Sequence, residues 1–180
     1  MLPFARLVIA GLATCAVATP AMSQSRSRMR IALPAFGAQI VMDTIGEVQD
    51  VAAPPMKVFR AASMVLTNLR IAIDVSDSTA GLVGAAKLTR SRNLGGRALS
   101  RYLECGSNMT GPRADSHRVQ MPLLLMLDPG TEGTTRLRIA LVASAQDNSG
   151  TSTQAVVCAT TGVLEGELRK AIKDQIAELR

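Results

Sequence analysis

Two runs of alternating apolar residues, one on each side of the turn sequence Asp128-Pro129-Gly130, constrain the fold of this chain more than any other feature. Alternation with a period of two predicts a strand with one buried face, and two such runs joined by a turn predict a β-hairpin. The apolar positions are Val119, Met121, Leu123, Leu125 and Leu127 before the turn, and Leu137, Ile139, Leu141 and Ala143 within 134–144 after it.

Two segments with helical periodicity accompany this hairpin. The pattern over 55–69 repeats apolar residues every three or four positions, directly after Pro54. Pro55 suits the first turn because proline has no amide proton to leave unpaired there. A second amphipathic helix is predicted from Val163 onward, with Leu164, Leu168 and Ile172 on its apolar side.

Shorter strands are predicted over 40–51, 71–75, 82–88 and 153–160, and an irregular excursion with a short helix near 98–103 separates the third strand from the hairpin. The order is β-α-β-β-(irregular)-β-β-β-α. Hairpin connections imply antiparallel pairing, and two amphipathic helices must bury their apolar stripes on a sheet. The sequence therefore predicts an α+β fold, an antiparallel β-sheet packed against two amphipathic helices.

The first 23 residues are typical of an export signal. Arg6 precedes an apolar run over 7–18, and Ala21-Met22-Ser23 offers a small-residue cleavage site. The apolar run is shorter than the roughly 20 residues that a membrane-spanning helix needs. We expect a signal peptide over 1–23, a flexible basic N-terminal arm over 24–38 and a single α+β domain over 39–180.

Leu12-Ala13-Thr14-Cys15 offers a second processing route, because it resembles the box in which the cysteine of a bacterial lipoprotein is acylated. Thr14 occupies a position where such boxes usually carry Gly, Ala or Ser, so secretion is favoured over lipidation of Cys15. Both routes lead out of the cytoplasm. We expect the protein in the periplasm, associated with the outer membrane, or secreted.

Two cysteines, Cys105 and Cys158, remain in the predicted domain. An even number of cysteines in an exported protein favours pairing. The closed loop of about 52 residues would contribute roughly 4 kcal/mol in the loop-entropy model. We predict a Cys105–Cys158 disulfide.

The stretch from Arg101 to Arg118 concentrates the residue types that could carry chemistry. A thiol enzyme would need a reduced Cys105 activated by His117 and oriented by Asp115, which an exported chain with a partner cysteine disfavours. The glycine spacing of 106–111 is that of a phosphate loop, but Pro112 and Arg113 follow where lysine and a hydroxyl residue should stand. One His and distant cysteines offer no metal-ligand pair, so neither a metal nor a cofactor is expected.

Charge and aromatic content limit the class of partner. The formal net charge is +6, with no Trp and one Tyr, so nucleic acid is an improbable ligand because few rings could stack on bases. A basic chain attracts anionic surfaces. The arginines that crowd the irregular excursion form either a solvated face or an anionic docking patch; they are Arg90, Arg92, Arg97, Arg101, Arg113 and Arg118.

The run VAAPPMKVFRAASMVLTNLRIAIDVSDSTAGLV, followed by further strands and a last long helix, resembles helix-grip domains. Two branches are similar: the BamC-like domain of an outer-membrane assembly lipoprotein, and the START-related superfamily. One helix between the first two strands fits the BamC-like branch better. The resemblance implies a non-catalytic envelope module or a pocket for an apolar ligand.

Three functions follow as hypotheses. The leading one is an exported, non-catalytic envelope protein that binds or scaffolds an envelope protein or an anionic membrane surface. The second is a carrier of a lipid or small apolar molecule between the sheet and the closing helix. The third is a thiol enzyme that uses Cys105.

Overall fold

The computed structural model describes residues 29–147 and 154–179, and the predicted signal peptide lies outside them. The described residues form three α-helices, two 3-10 helices (Met42–Thr44 and Leu99–Arg101) and sixteen strands. The helices are α1 (Pro55–Asn68), α2 (Arg113–Ser116) and α3 (Val163–Glu178). The strands are β1 (Arg30–Ile31), β2 (Ile40–Val41), β3 (Val48–Val51), β4 (Val75–Asp77), β5 (Leu82–Ala85), β6 (Thr89–Ser91), β7 (Asn93–Leu94), β8 (Arg97–Ala98), β9 (Leu103–Glu104), β10 (Ser107–Asn108), β11 (Gly111–Pro112), β12 (Arg118–Gln120), β13 (Leu123–Pro129), β14 (Thr135–Leu141), β15 (Ala143–Gln146) and β16 (Ala155–Thr160).

Most longer strands belong to two five-stranded antiparallel sheets. The first sheet has the order β3-β14-β13-β5-β4 and the second has the order β6-β12-β15-β16-β9. α1 packs on β5 and β13 of the first sheet, and α3 packs on α1. One hydrophobic core joins both helices to both sheets. The predicted antiparallel α+β fold with two amphipathic helices is confirmed, although its strands divide between two sheets.

The predicted hairpin around Asp128-Pro129-Gly130 is present, but each of its arms is broken into two strands. β12 and β13 are separated at Met121 and Pro122, and β14 and β15 at Val142. Pro122 has no amide proton to donate to a ladder. The amide of Val142 donates to the carbonyl of Pro122 at 3.3 Å, so the two breaks face each other. One hairpin thereby serves both sheets.

β13 is buried on both faces, which the prediction of one buried face did not include. Leu123, Leu125 and Leu127 face the helices, whereas Leu124 and Met126 belong to a second cluster on the other side. That side is covered by an N-terminal segment that includes Ile31, Leu33, Phe36 and Met42.

The N-terminal cover corrects the predicted flexible arm over 24–38. From Met29 onward this stretch is part of the packed structure: β1 pairs with β2, and Ile31 and Leu33 are buried at 8% and 7% exposure. Burial of their apolar side chains against the outer face of the first sheet stabilises this segment. Residues 24–28 of the predicted arm lie outside the described residues.

The predicted strand over 40–51 is also interrupted. A 3-10 turn at Met42–Thr44 and Gly46 separate β2 from β3. Gly46 has a φ of +83°, and a Cβ there would overlap the carbonyl oxygen of Ile139. Only glycine permits this backbone conformation and this close approach without strain. The chain therefore turns at this point before it joins the edge of the first sheet.

The two strands predicted after α1 are shorter than their apolar patterns suggest. β4 begins at Val75 rather than Ile71, and β5 ends at Ala85 rather than Leu88. Asp74 ends the pairing because its carboxylate accepts the amides of Ala86 at 2.6 Å and Lys87 at 2.9 Å. A side chain that binds backbone amides replaces the ladder there.

Candidate functional site

A disulfide between Cys105 and Cys158 fastens the irregular excursion to the second sheet. The S–S distance is 2.02 Å and the Cα atoms are 4.2 Å apart. Cys158 lies on β16, and Cys105 directly follows β9, which pairs with the same strand. Both cysteines are buried. The predicted disulfide is confirmed, and the oxidised protein therefore has no Cys105 thiol to act as a nucleophile.

The other members of the hypothetical thiol site have separate partners. The carboxylate of Asp115 accepts the amide of Ser100 at 2.8 Å and its hydroxyl at 2.6 Å. The Nδ1 atom of His117 lies 3.1 Å from the hydroxyl of Ser116. The residues predicted to activate Cys105 are thus hydrogen-bonded to serines in this structure.

The glycine-spaced stretch 106–111 forms a small hairpin. β10 pairs with β11, and the side-chain oxygen of Asn108 accepts the amide of Thr110 at 3.0 Å and its hydroxyl at 2.8 Å. This is the Asx-type turn that asparagine favours. The hydrogen bonds of this stretch therefore close a short hairpin between β10 and β11.

The chain that follows β5 and leads into β12 is rich in basic residues. We call it the basic excursion and define it as residues 87–118. It contains Lys87 and six arginines against Glu104 and Asp115, a net charge of +5. Its attachments to the rest of the fold include the disulfide, the pairing of β6 with β12, and the pairing of β9 with β16. Its arginines are therefore presented on a fixed backbone.

The structure joins two of the six predicted arginines to one carboxylate on α3. Glu167 Oε1 accepts from Arg101 Nη2 at 3.1 Å and from Arg97 Nη1 at 3.4 Å, and Glu167 Oε2 accepts the hydroxyl of Tyr102 at 3.1 Å. We call these four residues the Glu167 cluster. Glu167 keeps 39% of its side chain exposed, so each ion pair contributes at most about 1 kcal/mol.

The ionisation of the Glu167 cluster follows from these contacts. Partial burial opposes the charge on Glu167, but the hydrogen bonds from Arg101 and Tyr102 and the two guanidinium charges outweigh it, so the pKa of Glu167 is lowered. The pKa of Tyr102 is raised, first because burial penalises the phenolate and then because the hydroxyl donates to Glu167. Tyr102 stays neutral and keeps donating in the ordinary pH range.

Arg90 is separated from the other predicted arginines. It lies directly opposite the buried Val119, on the core-facing side of the second sheet, whereas Arg118 lies opposite Ser91 and points to the other side. Its Nη2 donates to the carbonyl of Arg70 at 2.7 Å and its Nη1 to its neighbour Thr89 at 3.1 Å. Arg90 is thus fixed against the end of α1.

Arg92, Arg113 and Arg118 have no carboxylate partner within the described part of the chain. Arg92 and Arg118 are exposed and Arg113 is half-buried. The six predicted arginines are therefore not one uniform patch. Two are paired with Glu167, one is bound to backbone carbonyls, and three present unneutralised charge.

Two neighbouring recesses lie beside the β7–β8 hairpin, one against the end of α1 and the other between α1 and α3. The larger, of about 700 Å³, we call the arginine recess; its lining is Asn68, Leu69, Arg70, Arg90, Ser91, Asn93, Leu94, Gly95 and Gly96. The smaller, of about 460 Å³, we call the interhelical recess; its apolar lining is Val65, Leu69, Leu94, Leu164, Leu168 and Ala171, and its polar lining is Asn68, Gly95, Arg97, Tyr102, Glu167, Asp174, Gln175 and Glu178.

Sequence reasoning missed Arg70, which directly follows the first predicted helix, and Glu167, which lies on the second; neither belongs to the basic excursion. The paired glycines were visible in the sequence; Gly95 lines both recesses and Gly96 lines the arginine recess. Gly95 and Gly96 have φ values of +59° and +79° and join β7 to β8 in a two-residue turn. Two successive positive φ values are the signature of a tight hairpin turn, where an irregular loop was predicted.

Other classes of site have less support. Within 29–147 and 154–179 no group of three His, Cys, Asp or Glu residues could hold a metal ion. None of the described helices has the length and apolar character that spanning a bilayer requires.

A scan of the sequence against protein-family models finds no match, and a search of curated proteins finds none either. The resemblance to helix-grip domains and to their BamC-like branch therefore stays a prediction.

Proposed function

We propose that this chain is an exported, non-catalytic binding protein of the cell envelope that attaches to an anionic membrane surface through its basic excursion. The observation that carries the proposal is the fixed presentation of charge: a segment of net charge +5 is fastened to the second sheet by the Cys105–Cys158 disulfide. A rigid cationic surface loses little conformational entropy when it binds.

The unneutralised arginines supply the attraction. A Lys or Arg close to an anionic leaflet contributes about 1 kcal/mol. Arg92, Arg113 and Arg118 together would therefore strengthen binding by roughly two orders of magnitude, since 1.4 kcal/mol is a factor of ten. Arg97 and Arg101 contribute less because Glu167 already offsets part of their charge.

Two further observations support the proposal: one agrees with export, and the other weighs against a thiol enzyme that uses Cys105. Disulfides persist in oxidising compartments outside the cytoplasm, which agrees with the predicted signal peptide. The side chains that could have formed a thiol site are engaged elsewhere, Cys105 by Cys158 and Asp115 by Ser100. Neither observation names the partner, and the charge distribution selects an anionic one.

The test is co-sedimentation of the oxidised mature protein with phosphatidylglycerol-containing vesicles, using pure phosphatidylcholine vesicles as the neutral comparison. The double variant Arg113→Gln/Arg118→Gln should bind about tenfold or more weakly, since two surface cations are lost. Arg60→Gln/Lys173→Gln removes the same charge from the two helices and is the matched control. Equal losses in both variants, or equal binding to neutral vesicles, would contradict docking by the basic excursion.

A second function is favoured by one specific feature, the interhelical recess. The space between the sheet and the helices is filled by buried side chains, so a carrier site in the described structure would lie between α1 and α3 instead. Its apolar walls suit a lipid chain or small apolar molecule. Ala171→Phe would fill this recess and should abolish binding of a fluorescent fatty acid, whereas Ala177→Phe on the exposed side of α3 should not. Fatty-acid binding that is equal in both variants would exclude the interhelical recess.

A further inference from the structure

We infer that the arginine recess is a binding site for the phosphomonoester group of a polar organic molecule. This inference does not depend on docking to a membrane, because the recess includes Arg70 and Asn68, which lie outside the basic excursion. It concerns a small ligand rather than a surface. Its two cations come from separate parts of the sequence and meet only in the folded structure.

The two guanidinium groups reach the recess by different routes. Arg90 extends from β6 and is fixed by hydrogen bonds to the carbonyls of Arg70 and Thr89, which leave further N–H donors of its guanidinium unused. Arg70 follows α1 in a left-handed conformation, with a φ of +55°, and is exposed. One cation is therefore held in place by hydrogen bonds, and the other is exposed to solvent at the recess.

The negative end of α1 would repel an anion if its last carbonyls were open to the recess. They are occupied. The carbonyls of Val65, Leu66 and Thr67 accept the amides of Leu69, Ile71 and Arg70, respectively, at 2.9–3.1 Å. The carbonyl of Arg70 accepts Arg90. Hydrogen bonding to these carbonyls weakens the repulsion, and the two arginine side chains supply the positive charge of the recess.

The remaining lining combines polar side chains with apolar surface and suits a phosphate carried on an organic body. Asn68, Asn93 and Ser91 supply neutral donors and acceptors, and no carboxylate is among the described lining residues. Only Leu69 and Leu94 are apolar. Arg pairs well with phosphate because its planar fork can bind two oxygens at once.

The size of the recess indicates more than a bare ion. A volume of about 700 Å³ lies within the usual range for small-molecule sites. Gly96 leaves open space where a side chain would otherwise project, since nothing lies within 4 Å of an added Cβ. A phosphate attached to a polar body fills such a recess better than inorganic phosphate. The same chemistry occurs on soluble sugar phosphates and on the headgroup of phosphatidic acid.

The experiment measures how a soluble sugar phosphate and a phosphatidic acid headgroup bind to the oxidised mature protein. Glucose 6-phosphate is titrated by calorimetry with glucose as the uncharged comparison, and phosphatidic acid is presented in phosphatidylcholine vesicles. Arg70→Gly removes the exposed cation and places glycine at a left-handed position that favours it. Arg92→Gly is the matched control for the calorimetric titration, because Arg92 is also exposed, also left-handed at a φ of +69°, and does not line the recess. Arg60→Gln, on the exposed side of α1 and outside both the recess and the basic excursion, is the control with vesicles.

We expect glucose 6-phosphate to bind and glucose not to bind, with Arg70→Gly weakening the affinity at least about tenfold and Arg92→Gly leaving it unchanged. If only phosphatidic acid vesicles show this dependence on Arg70, the ligand is a lipid headgroup. If neither probe distinguishes Arg70→Gly from its control variant, the inference is wrong. Failure of membrane docking would appear instead in the Arg113 and Arg118 variants with phosphatidylglycerol, so the two proposals fail separately.

Discussion

The carboxylate of Asp115 holds Ser100 by both its backbone amide and its hydroxyl, at 2.8 Å and 2.6 Å. These residues are 15 positions apart, and the two bonds tie α2 to the 3-10 turn at Leu99–Arg101. The contact holds the two halves of the basic excursion together.

Asp115→Ala should therefore destabilise the protein by about 1–3 kcal/mol, because it removes two hydrogen bonds to a charged group. Urea unfolding followed by circular dichroism measures the change. Glu104→Ala, at an exposed position of the same segment, is the control and should change stability by less than about 0.5 kcal/mol. Equal effects of the two variants would contradict this role for Asp115.

Loss of the disulfide should cost more than any single hydrogen bond. The bridge spans 53 positions, for which loop entropy gives about 4 kcal/mol. Cys105→Ala/Cys158→Ala should lower the free energy of unfolding by roughly 2–5 kcal/mol relative to the oxidised protein. A difference below about 1 kcal/mol would mean that the excursion is fixed by its strand pairing instead.

Tyr102 reports directly on the Glu167 cluster because it is the only tyrosine of the chain. Its raised pKa means that the folded state retains the phenolic proton above pH 10.0, the ordinary pKa. The stability that this supplies is complete below pH 10.0 and is lost as the pH rises through the raised value. Ultraviolet titration of the folded protein should show this shift.

The variant Glu167→Gln should lower the pKa of Tyr102 towards its ordinary value, since the charge and the carboxylate acceptor are removed. Burial, the larger cause, remains, so the shift should be reduced but still present. Glu178→Gln, near the end of α3, removes the same charge from this helix and is the control; it should leave the titration of Tyr102 unchanged. An identical titration of Tyr102 in wild type and Glu167→Gln would contradict the observed hydrogen bond.

The N-terminal cover gives a prediction that separates a packed segment from a flexible arm. Leu33→Ala should destabilise the protein by about 2 kcal/mol or more, because Leu33 is buried against the outer face of the first sheet. Met109→Ala, at a fully exposed position, should have little effect. Thermal unfolding of the two variants decides between a packed segment and a flexible arm. Unchanged stability of Leu33→Ala would support the flexible arm.

Local pattern predicted the helices well because their apolar stripes and entry residues lie within a few turns of sequence. α1 was predicted over 55–69 and runs from Pro55 to Asn68, and α3 begins at Val163 as expected. The cysteine pairing was also predictable, since only two cysteines remain outside the predicted signal peptide. The helices depend on residues that are near one another in sequence, and two cysteines can pair in only one way.

The division into two sheets and the two recesses depend on distant contacts that no local pattern contains. The alternation through Val119 to Leu127 continues across the break at Pro122, so the sequence indicates one strand where the structure has two. Burial of Leu124 and Met126 requires a cover supplied about 90 residues earlier in the chain. Arg70 and Arg90 meet only because β6 passes the end of α1.

Hydrogen–deuterium exchange by mass spectrometry, with and without phosphatidylglycerol vesicles, tests membrane docking most directly because it locates the contact on the chain. Docking through the basic excursion predicts slower exchange in peptides covering 87–118 when vesicles are present. Exchange in peptides covering α1 should be unchanged. Protection confined to α1 or the N-terminal cover, with none in 87–118, would contradict it.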